Sequence, residues 1–300
     1  MHLSTHTWMR VEPLRQSLER AAGFGYESVE LTGEPDAHPP RETAKLLADT
    51  GLRCWGAGSV MRGERNLAAA DAGRRTRTVD YLCAVARMVA ELGGQVVTVV
   101  PTTVGQVVPE AAADQEWAWV VEGLQAVERE TSALGLGLAI EPLNRFETYL
   151  VNRADQALAL ADDVGGSCGV CLDTFHLYLE EADPLAAVRA VGPRLLDVHV
   201  ADNNRLAPGM GTVDWPAFVC ALDEVGYRGA LAAEFLPPVD RTPCARLSGQ
   251  GEDRSQDPGA DEEDFIRRHG SGLVSEAYYS SLSRRTAETL LPLLGTSADG

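Results

Sequence analysis

The stretch LGLAIE at residues 136–141 sets the pattern that decides the fold: a short apolar run that ends at a carboxylate, Glu141. The same pattern recurs in VCLD, ending at Asp173, in LLDVH, ending at His199, and in LAAE, ending at Glu234. Successive members lie roughly one βα unit apart, since such units need about thirty residues. The strands of a (β/α)₈ barrel all end on one face, so we expect these side chains to converge there.

Short apolar runs alternate with longer amphipathic segments along the chain of 300 residues, which predicts βα units and a parallel sheet. The strand candidates are residues 2–8, 28–32, 53–58, 95–100, 136–141, 169–173, 195–200 and 230–235. Barrels of this kind run to about 250 residues as one domain. We therefore predict an α/β fold, a single TIM-barrel domain over residues 1–300, with its site at the carboxyl ends of the strands.

One segment departs from this alternation. Residues 237–264 follow the eighth strand candidate and are rich in Pro, Gly, Ser and acidic residues, with little to bury. The segment leaves the barrel at the carboxyl end of a strand, so it emerges on the face where the site is expected. We predict a flexible or lid-like insertion at about residues 237–264.

The strand-end residues form a ligand set for a metal ion. Three carboxylates and one imidazole are hard-to-borderline ligands, which suit Mn²⁺, Mg²⁺, Co²⁺ or Zn²⁺ better than a soft metal. Such a set at the carboxyl face of a barrel indicates an enzyme. We expect one divalent ion, Mn²⁺ before the other three, held by Glu141, Asp173, His199 and Glu234.

Composition excludes several classes of partner. With a net charge of −18 and a pI of about 4.7, the chain lacks the basic surface that proteins use to bind nucleic acid. No stretch approaches the roughly 20 apolar residues of a membrane span. The N-terminus lacks a basic segment followed by an apolar one, so we expect a cytoplasmic protein. The only lysine, Lys45, lies in an expected outer helix, which argues against Schiff-base chemistry.

Longer motifs surround the same four positions: EPLNRFE at 141–147, LDTFH at 172–176, HVADNNR at 199–205 and AAEF at 232–235. Together and in this order they resemble the sugar isomerase/epimerase superfamily of xylose-isomerase-like TIM barrels. The most similar subgroup is the ketose 3-epimerases that act on D-tagatose and D-psicose. The resemblance spans nearly the whole chain.

The resemblance implies roles for individual residues. In that subgroup the strand-end glutamates, here Glu141 and Glu234, are metal ligands and also the acid–base pair. The resemblance implies that Asp173 and His199 complete the metal shell. It also implies three substrate-binding residues: Glu147, His176 and Arg205.

Other residues are candidates by position. His6, Trp8, Trp55 and Trp215 are candidates for an apolar wall against a sugar, and of these His6 and Trp55 lie near expected strand ends. Asp197 precedes His199 by two residues, so both point to the same side of their strand. Asp197 would either accept the second imidazole N–H or fill a layer inside the barrel. Asp202 competes with Asp197 for the first of these roles.

Two functions fit this pattern best. The first is a metal-dependent keto-sugar epimerase or isomerase, which removes a proton alpha to a carbonyl through a metal-stabilised enediolate. The second is a lyase or dehydratase that acts on a keto-sugar, an inosose or a 3-keto-glycoside at the same site. In both cases the expected partner is a small sugar, and pairing of outer helices into a homo-oligomer stays open.

Two further functions fit less well. An endonuclease IV-like repair enzyme shares the fold, but it needs a histidine-rich zinc site and a cationic groove, which the net charge of −18 disfavours. A non-catalytic sugar-binding subunit is disfavoured by the complete ligand set.

Overall fold

The computed structural model describes residues 1–239 and 274–295, within which eight parallel strands form one sheet. The strands are β1 His2–Thr5, β2 Ser28–Gly33, β3 Arg53–Ser59, β4 Val96–Val99, β5 Gly137–Ile140, β6 Cys168–Asp173, β7 Leu195–Val200 and β8 Ala230–Ala233. Their order across the sheet is β1-β8-β7-β6-β5-β4-β3-β2. A parallel bridge between His6 and Glu30 connects β1 to β2, so the sheet curls into a nearly closed barrel.

Helices follow the strands and cover the outside of the barrel. They are α1 Leu14–Gly23, α2 Pro40–Thr50, α3 Ala72–Glu91, α4 Ala113–Ala133, α5 Ala154–Val164, α6 Thr174–Glu180, α7 Pro184–Val191, α8 Trp215–Glu224 and α9 Glu276–Leu294. The predicted TIM barrel is therefore confirmed. The largest difference at a strand end is in β1, which ends at Thr5 instead of residue 8. His6 and Trp8 consequently belong to the loop above the barrel.

Two helices, α6 and α7, lie between β6 and β7, where the alternation of strands and amphipathic segments predicts one. Helix α6 begins directly after β6, where the Asp173 carboxylate accepts a hydrogen bond from the backbone N–H of Phe175 at 2.8 Å and caps the helix. The hydroxyl of Thr174 donates to the carbonyl of Ala201 at 2.6 Å, which ties the start of α6 to the end of β7. Seven residues next to a strand are too few for a helical period to stand out. The helix places His176 above the barrel.

Small residues allow close approach of the strands beneath the site. All four residues of β8, ALAA, are buried. In β3, a Cβ atom added to Gly56 would lie 2.3 Å from the carbonyl oxygen of Val96 in β4. Only glycine fits at this position, because real side chains do not approach a carbonyl so closely.

The predicted insertion at 237–264 lies outside the described residues from position 240 onward. The insertion and the assignment of residues 1–300 to one domain therefore stay predictions. Of the helices that the structure describes, none combines the length and apolar character needed to cross a membrane.

Candidate active site

The strand-end residues meet at the carboxyl end of the barrel. Glu141 follows β5, Asp173 ends β6, His199 lies near the end of β7 and Glu234 follows β8. All four are buried. The Nδ1 atom of His199 lies 3.0 Å from Oε1 of Glu141 and 3.6 Å from Oε2 of Glu234. Two carboxylates from different strands therefore flank one imidazole nitrogen.

Arg205 links the third carboxylate to this group. Its Nη1 donates to Oδ2 of Asp173 at 2.8 Å, and its Nη2 lies 3.5 Å from Oε2 of Glu234. Its φ is 61°, and in the described part of the chain no other non-glycine residue has a positive φ. The left-handed conformation costs a side-chain-bearing residue about 1–2 kcal/mol. The turn is held by the backbone N–H of Arg205, which donates to the carbonyl of Asp202 at 2.8 Å.

His176 lines the cavity above the carboxylates and has a defined tautomer. Burial, together with the Arg205 charge, holds the pKa of His176 well below its usual value, so the ring is neutral. Its Nδ1 accepts a hydrogen bond from the backbone N–H of Asn144 at 3.2 Å, so the ring proton is on Nε2. Nε2 lies 3.1 Å from Nη1 of Arg205. Two donors therefore converge where an acceptor oxygen of a ligand would fit.

Asn144 is a residue of the site that no sequence pattern singles out. Its Nδ2 lies 2.8 Å from Nδ1 of His176 and donates to Oε1 of Glu147 at 2.8 Å. Asn144 thus connects two residues that the family resemblance assigns to substrate binding. It lies within EPLNRFE, but its spacing gives no reason to choose it over its neighbours.

A second layer of polar side chains lies inside the barrel below His199. The Nε2 atom of His199 lies 3.4 Å from Glu30 and 3.5 Å from Asp197. Asp197 also accepts hydrogen bonds from the indole of Trp55 at 2.9 Å and from the hydroxyl of Thr98 at 3.0 Å. Asp197 therefore occupies both positions considered for it, beside the imidazole and inside the barrel. Burial, reinforced by Asp197, raises the pKa of Glu30 to about 8.

Asp202 was the other candidate to accept the second imidazole N–H of His199, but its carboxylate holds a loop instead. Its carboxylate accepts hydrogen bonds from the backbone N–H groups of Gly209 and Val213 at 2.9 and 3.1 Å, and from the indole of Trp215 at 3.2 Å. These bonds shape the connection between β7 and α8, which carries Arg205.

The structure separates the residues expected to form an apolar wall. His6 lines the cavity, with its ring edge-on to His199 at a centroid distance of 4.3 Å. Trp55 is the third residue of β3, at the amino end of the strand, where it packs against His2 at 5.1 Å. The structure therefore does not bring Trp55 to the cavity. Trp8, also a candidate for this wall, lines the cavity, and its indole donates to Oε1 of Glu234 at 3.1 Å. The indole of Trp215, the fourth candidate, donates to Asp202 instead.

A cavity of about 550 Å³ opens above these groups. Loops on both sides of the barrel mouth line this cavity. The lining includes the following residues that were proposed from the sequence: His6, Glu141, Glu147, His176, His199, Arg205 and Glu234. Asp173 contacts two of them, since its Oδ2 lies 2.8 Å from Arg205 and 3.5 Å from His176.

The charges of this group fit a divalent cation. Glu141, Asp173 and Glu234 carry three carboxylates, and within the described residues the one arginine that contacts any of them is Arg205. Burial raises the pKa of Glu141, and it raises that of Asp173 well above its usual range even though the charge of Arg205 opposes the shift. Oε2 of Glu234 is buried and finds no hydrogen-bond partner in the part of the chain that the structure describes.

Two neighbouring histidines are also close enough to contribute a ligand atom. One atom from each of His6, His199 and Glu234 lies within 4.8 Å of the others. The same holds for Glu141, Asp173 and His176.

Comparison with known proteins shows which sequences and folds the chain resembles. The family model described as "Xylose isomerase-like TIM barrel" matches residues 18–248. A D-psicose 3-epimerase of Agrobacterium fabrum is 31% identical over 227 residues, which cover 72% of this chain and 77% of the relative. An L-ribulose 3-epimerase of Mesorhizobium japonicum is 33% identical over 224 residues, covering 74% of this chain and 75% of the relative.

The same fold is found in a solved structure. D-Psicose 3-epimerase from Clostridium cellulolyticum, determined with D-tagatose, superposes with a TM-score of 0.82 and covers 98% of this chain and 99% of that chain. The two chains are 20% identical in this superposition, so the likeness concerns the fold.

Proposed function

Because the chain belongs to the xylose isomerase-like TIM barrel family, we propose that it is a divalent-metal-dependent ketose epimerase that inverts carbon 3 of a keto-sugar. One observation carries the proposal: Glu141 and Glu234 reach Nδ1 of His199 from two different strands, at 3.0 and 3.6 Å. Inversion needs two such groups, because one must remove a proton from one face of the carbon and the other must supply one to the opposite face. The ketose epimerases among the relatives support a ketose substrate.

The residues proposed to hold the ion, Mn²⁺ by preference, are Glu141, Asp173, His199 and Glu234. When bound, a divalent ion would act as a Lewis acid that polarises the carbonyl group of the sugar. This polarisation makes the proton on the neighbouring carbon, carbon 3, more acidic. Asp197 and Glu30 lie on the other side of the His199 ring, at 3.5 and 3.4 Å from Nε2, and would orient that ring.

The proton transfers belong to the two glutamates. One carboxylate takes the proton from carbon 3, and the electron pair of the broken C–H bond moves toward the carbonyl oxygen to give the enediolate form of the sugar. The other glutamate, in its acid form, gives its proton to the opposite face of carbon 3, and the carbonyl forms again. One glutamate gains a proton and the other loses one, so the same pair can run the reaction in either direction.

Arg205 and His176 would orient the substrate. The Arg205 guanidinium and the Nε2–H of His176 lie 3.1 Å apart and can both donate to one sugar oxygen. Glu147 is held by Asn144 at 2.8 Å and can accept from a nearby hydroxyl. Fixing the sugar in this way keeps carbon 3 between the two carboxylates, which is a gain from proximity.

A product analysis tests the proposal. The Mn²⁺-loaded protein is incubated with D-fructose, D-tagatose and L-ribulose, and the products are separated by chromatography. We expect each ketose that reacts to give its 3-epimer, with an unchanged mass. An aldose product would show an isomerase instead, a product lighter by one water would show a dehydratase, and no conversion of any ketose would overturn the proposal.

A further inference from the structure

The loop that follows β1 carries Trp8 and is tied to the strands on either side of β1. The backbone N–H of His6 donates to the carbonyl of Ala233 in β8 at 3.1 Å, and that of Thr7 donates to the carbonyl of Glu30 in β2 at 3.0 Å. These bonds fix the two residues that precede Trp8. The indole side chain therefore starts from a defined position at the mouth of the barrel.

The indole of Trp8 reaches the carboxylate of Glu234. Its Nε1–H donates to Oε1 at 3.1 Å, and both residues line the cavity. The backbone N–H of Glu234 donates to the carbonyl of Val200 at 3.0 Å, so the main chain is fixed there as well. The second oxygen, Oε2, lies 3.6 Å from Nδ1 of His199 and 3.5 Å from Nη2 of Arg205. The two oxygens of this carboxylate thus have different surroundings.

Glu141, the other glutamate proposed to transfer protons, is held differently. In the part of the chain that the structure describes, its side chain makes one hydrogen bond, at 3.0 Å between Oε1 and Nδ1 of His199. The last torsion of a glutamate has a broad energy minimum, so a donor on one oxygen is needed to fix the plane of the carboxylate. Trp8 provides such a donor to Glu234, on the oxygen that does not face His199.

We propose that Trp8 is a positioning residue, whose indole N–H turns Oε1 of Glu234 toward carbon 3 of the bound sugar and leaves Oε2 for the metal ion. The inference rests on the proposed function, because it requires Glu234 to transfer a proton. A proton transfer depends steeply on the placement of the accepting oxygen, and a shift of about 1 Å can cost about 10²-fold in rate. An indole that served as an apolar wall would instead contribute to sugar binding.

Trp8→Phe keeps an aromatic ring at the cavity and removes the donor. We expect kcat to fall about 10- to 100-fold, with KM within about threefold of the wild type. Metal content, measured by mass spectrometry, should stay near one ion per chain. An increase in KM at unchanged kcat would make Trp8 a wall for the sugar, and loss of the metal would make it a support for the ion. Either result would overturn the inference.

Two further proteins control for the change in shape. Trp117→Phe removes an indole bond of 2.8 Å to Oδ2 of Asp163, and neither residue lines the cavity, so this variant should keep wild-type kcat and KM. If Trp8→Phe fails to fold, 3-benzothienylalanine is placed at position 8, where its sulfur replaces the indole N–H within nearly the same outline. The same fall in kcat is expected, and wild-type kcat in this protein would overturn the inference.

Isotope effects show whether the loss falls on Glu234. Glu234 removes the hydrogen of carbon 3 from one epimer, whereas in the reverse reaction it returns a hydrogen to that carbon. The isotope effect on kcat/KM is measured for D-fructose and for its 3-epimer, each with deuterium at carbon 3. Trp8→Phe should raise the effect for one epimer and lower it toward unity for the other. A change in the same direction for both would refute the positioning of Glu234.

The contact can be tested without turnover, which separates this inference from the proposed function. NMR follows the solvent exchange of the indole N–H groups of Trp8 and Trp117. In Glu234→Ala the N–H of Trp8 should exchange at least about tenfold faster than in the wild type, and that of Trp117 should not change. This result in a protein that epimerises no ketose would refute the proposed reaction and retain the contact. Unchanged exchange at Trp8 would refute the inference, whatever the activity.

Discussion

Arg205 donates a hydrogen bond to Oδ2 of Asp173 at 2.8 Å, and its own backbone has a φ of 61°. This left-handed conformation is unfavourable for residues that carry a Cβ atom. Strained conformations of this kind persist where the surroundings enforce them, and they cluster at functional sites. The enforcing contacts here are the turn hydrogen bond to the carbonyl of Asp202 and the network around the Asp202 carboxylate. The loop after β7 is thus built to hold the guanidinium over the site.

Replacing Arg205 with alanine should lower kcat/KM by about 10- to 100-fold, because a charge-assisted hydrogen bond to the substrate is lost. Metal content, measured by mass spectrometry, should stay near one ion per chain. Arg189→Ala is the matched control, since Arg189 pairs at 2.7 Å with Glu224 on the outer helices. Loss of the metal in Arg205→Ala would instead make this residue a support for the ligand Asp173.

Asn144→Ala should lower kcat/KM about tenfold. The change removes the amide that holds Glu147 at 2.8 Å and lies beside Nδ1 of His176, so both substrate contacts lose their orientation. Steady-state kinetics on the best ketose measures the effect. Gln125→Ala removes a side-chain amide hydrogen bond of 3.2 Å to the carbonyl of Asp163, and neither residue lines the cavity, so this control should retain wild-type kinetics. Wild-type kinetics in Asn144→Ala would exclude the positioning role.

Glu141→Gln and Glu234→Gln should each lower kcat by about 10²–10⁴-fold, the typical contribution of one acid–base group. Each change removes a proton carrier and also a charge beside His199. The kinetics are therefore measured on protein whose metal content has been verified. Glu27→Gln, on the surface beside Arg53, controls for the loss of a carboxylate. A variant that keeps its metal and loses less than about fivefold in kcat would remove that glutamate from the mechanism.

Removal of the metal should abolish activity and lower the melting temperature. An ion present at 100 times its Kd stabilises the fold by about 2.7 kcal/mol, which corresponds to several degrees for a domain of this size. Dialysis against EDTA followed by calorimetry measures the shift, and Mn²⁺ should reverse it. In Asp173→Asn, which lacks one proposed ligand, EDTA should change the melting temperature much less. The same EDTA shift in both proteins would place the ion elsewhere.

The barrel and the convergence of Glu141, Asp173, His199 and Glu234 follow from the sequence alone, since an apolar run that stops at a polar residue marks a strand end. The carboxyl ends of all strands share one face, so the topology brings these residues together. No knowledge of loop conformation is needed for that step.

The remainder of the site depends on information that periodicity does not contain. Trp55 is only the third residue of RCWGAG, so the direction of the strand already places it toward the amino end, where the structure has it, and not at the carboxyl end where a sugar was expected. Asn144 and Trp8 act from loops, whose conformations are set by tertiary contacts.

The most direct test of the account is the fate of the hydrogen on carbon 3 during a short reaction in heavy water. Metal-loaded protein converts a small fraction of D-fructose, and mass spectrometry measures deuterium in the product and in the remaining substrate. Two glutamates on opposite faces predict one deuterium at carbon 3 of the epimer and none in the unreacted ketose. An epimer that keeps the original hydrogen would contradict this account, because a single group would then have carried the proton from one face to the other.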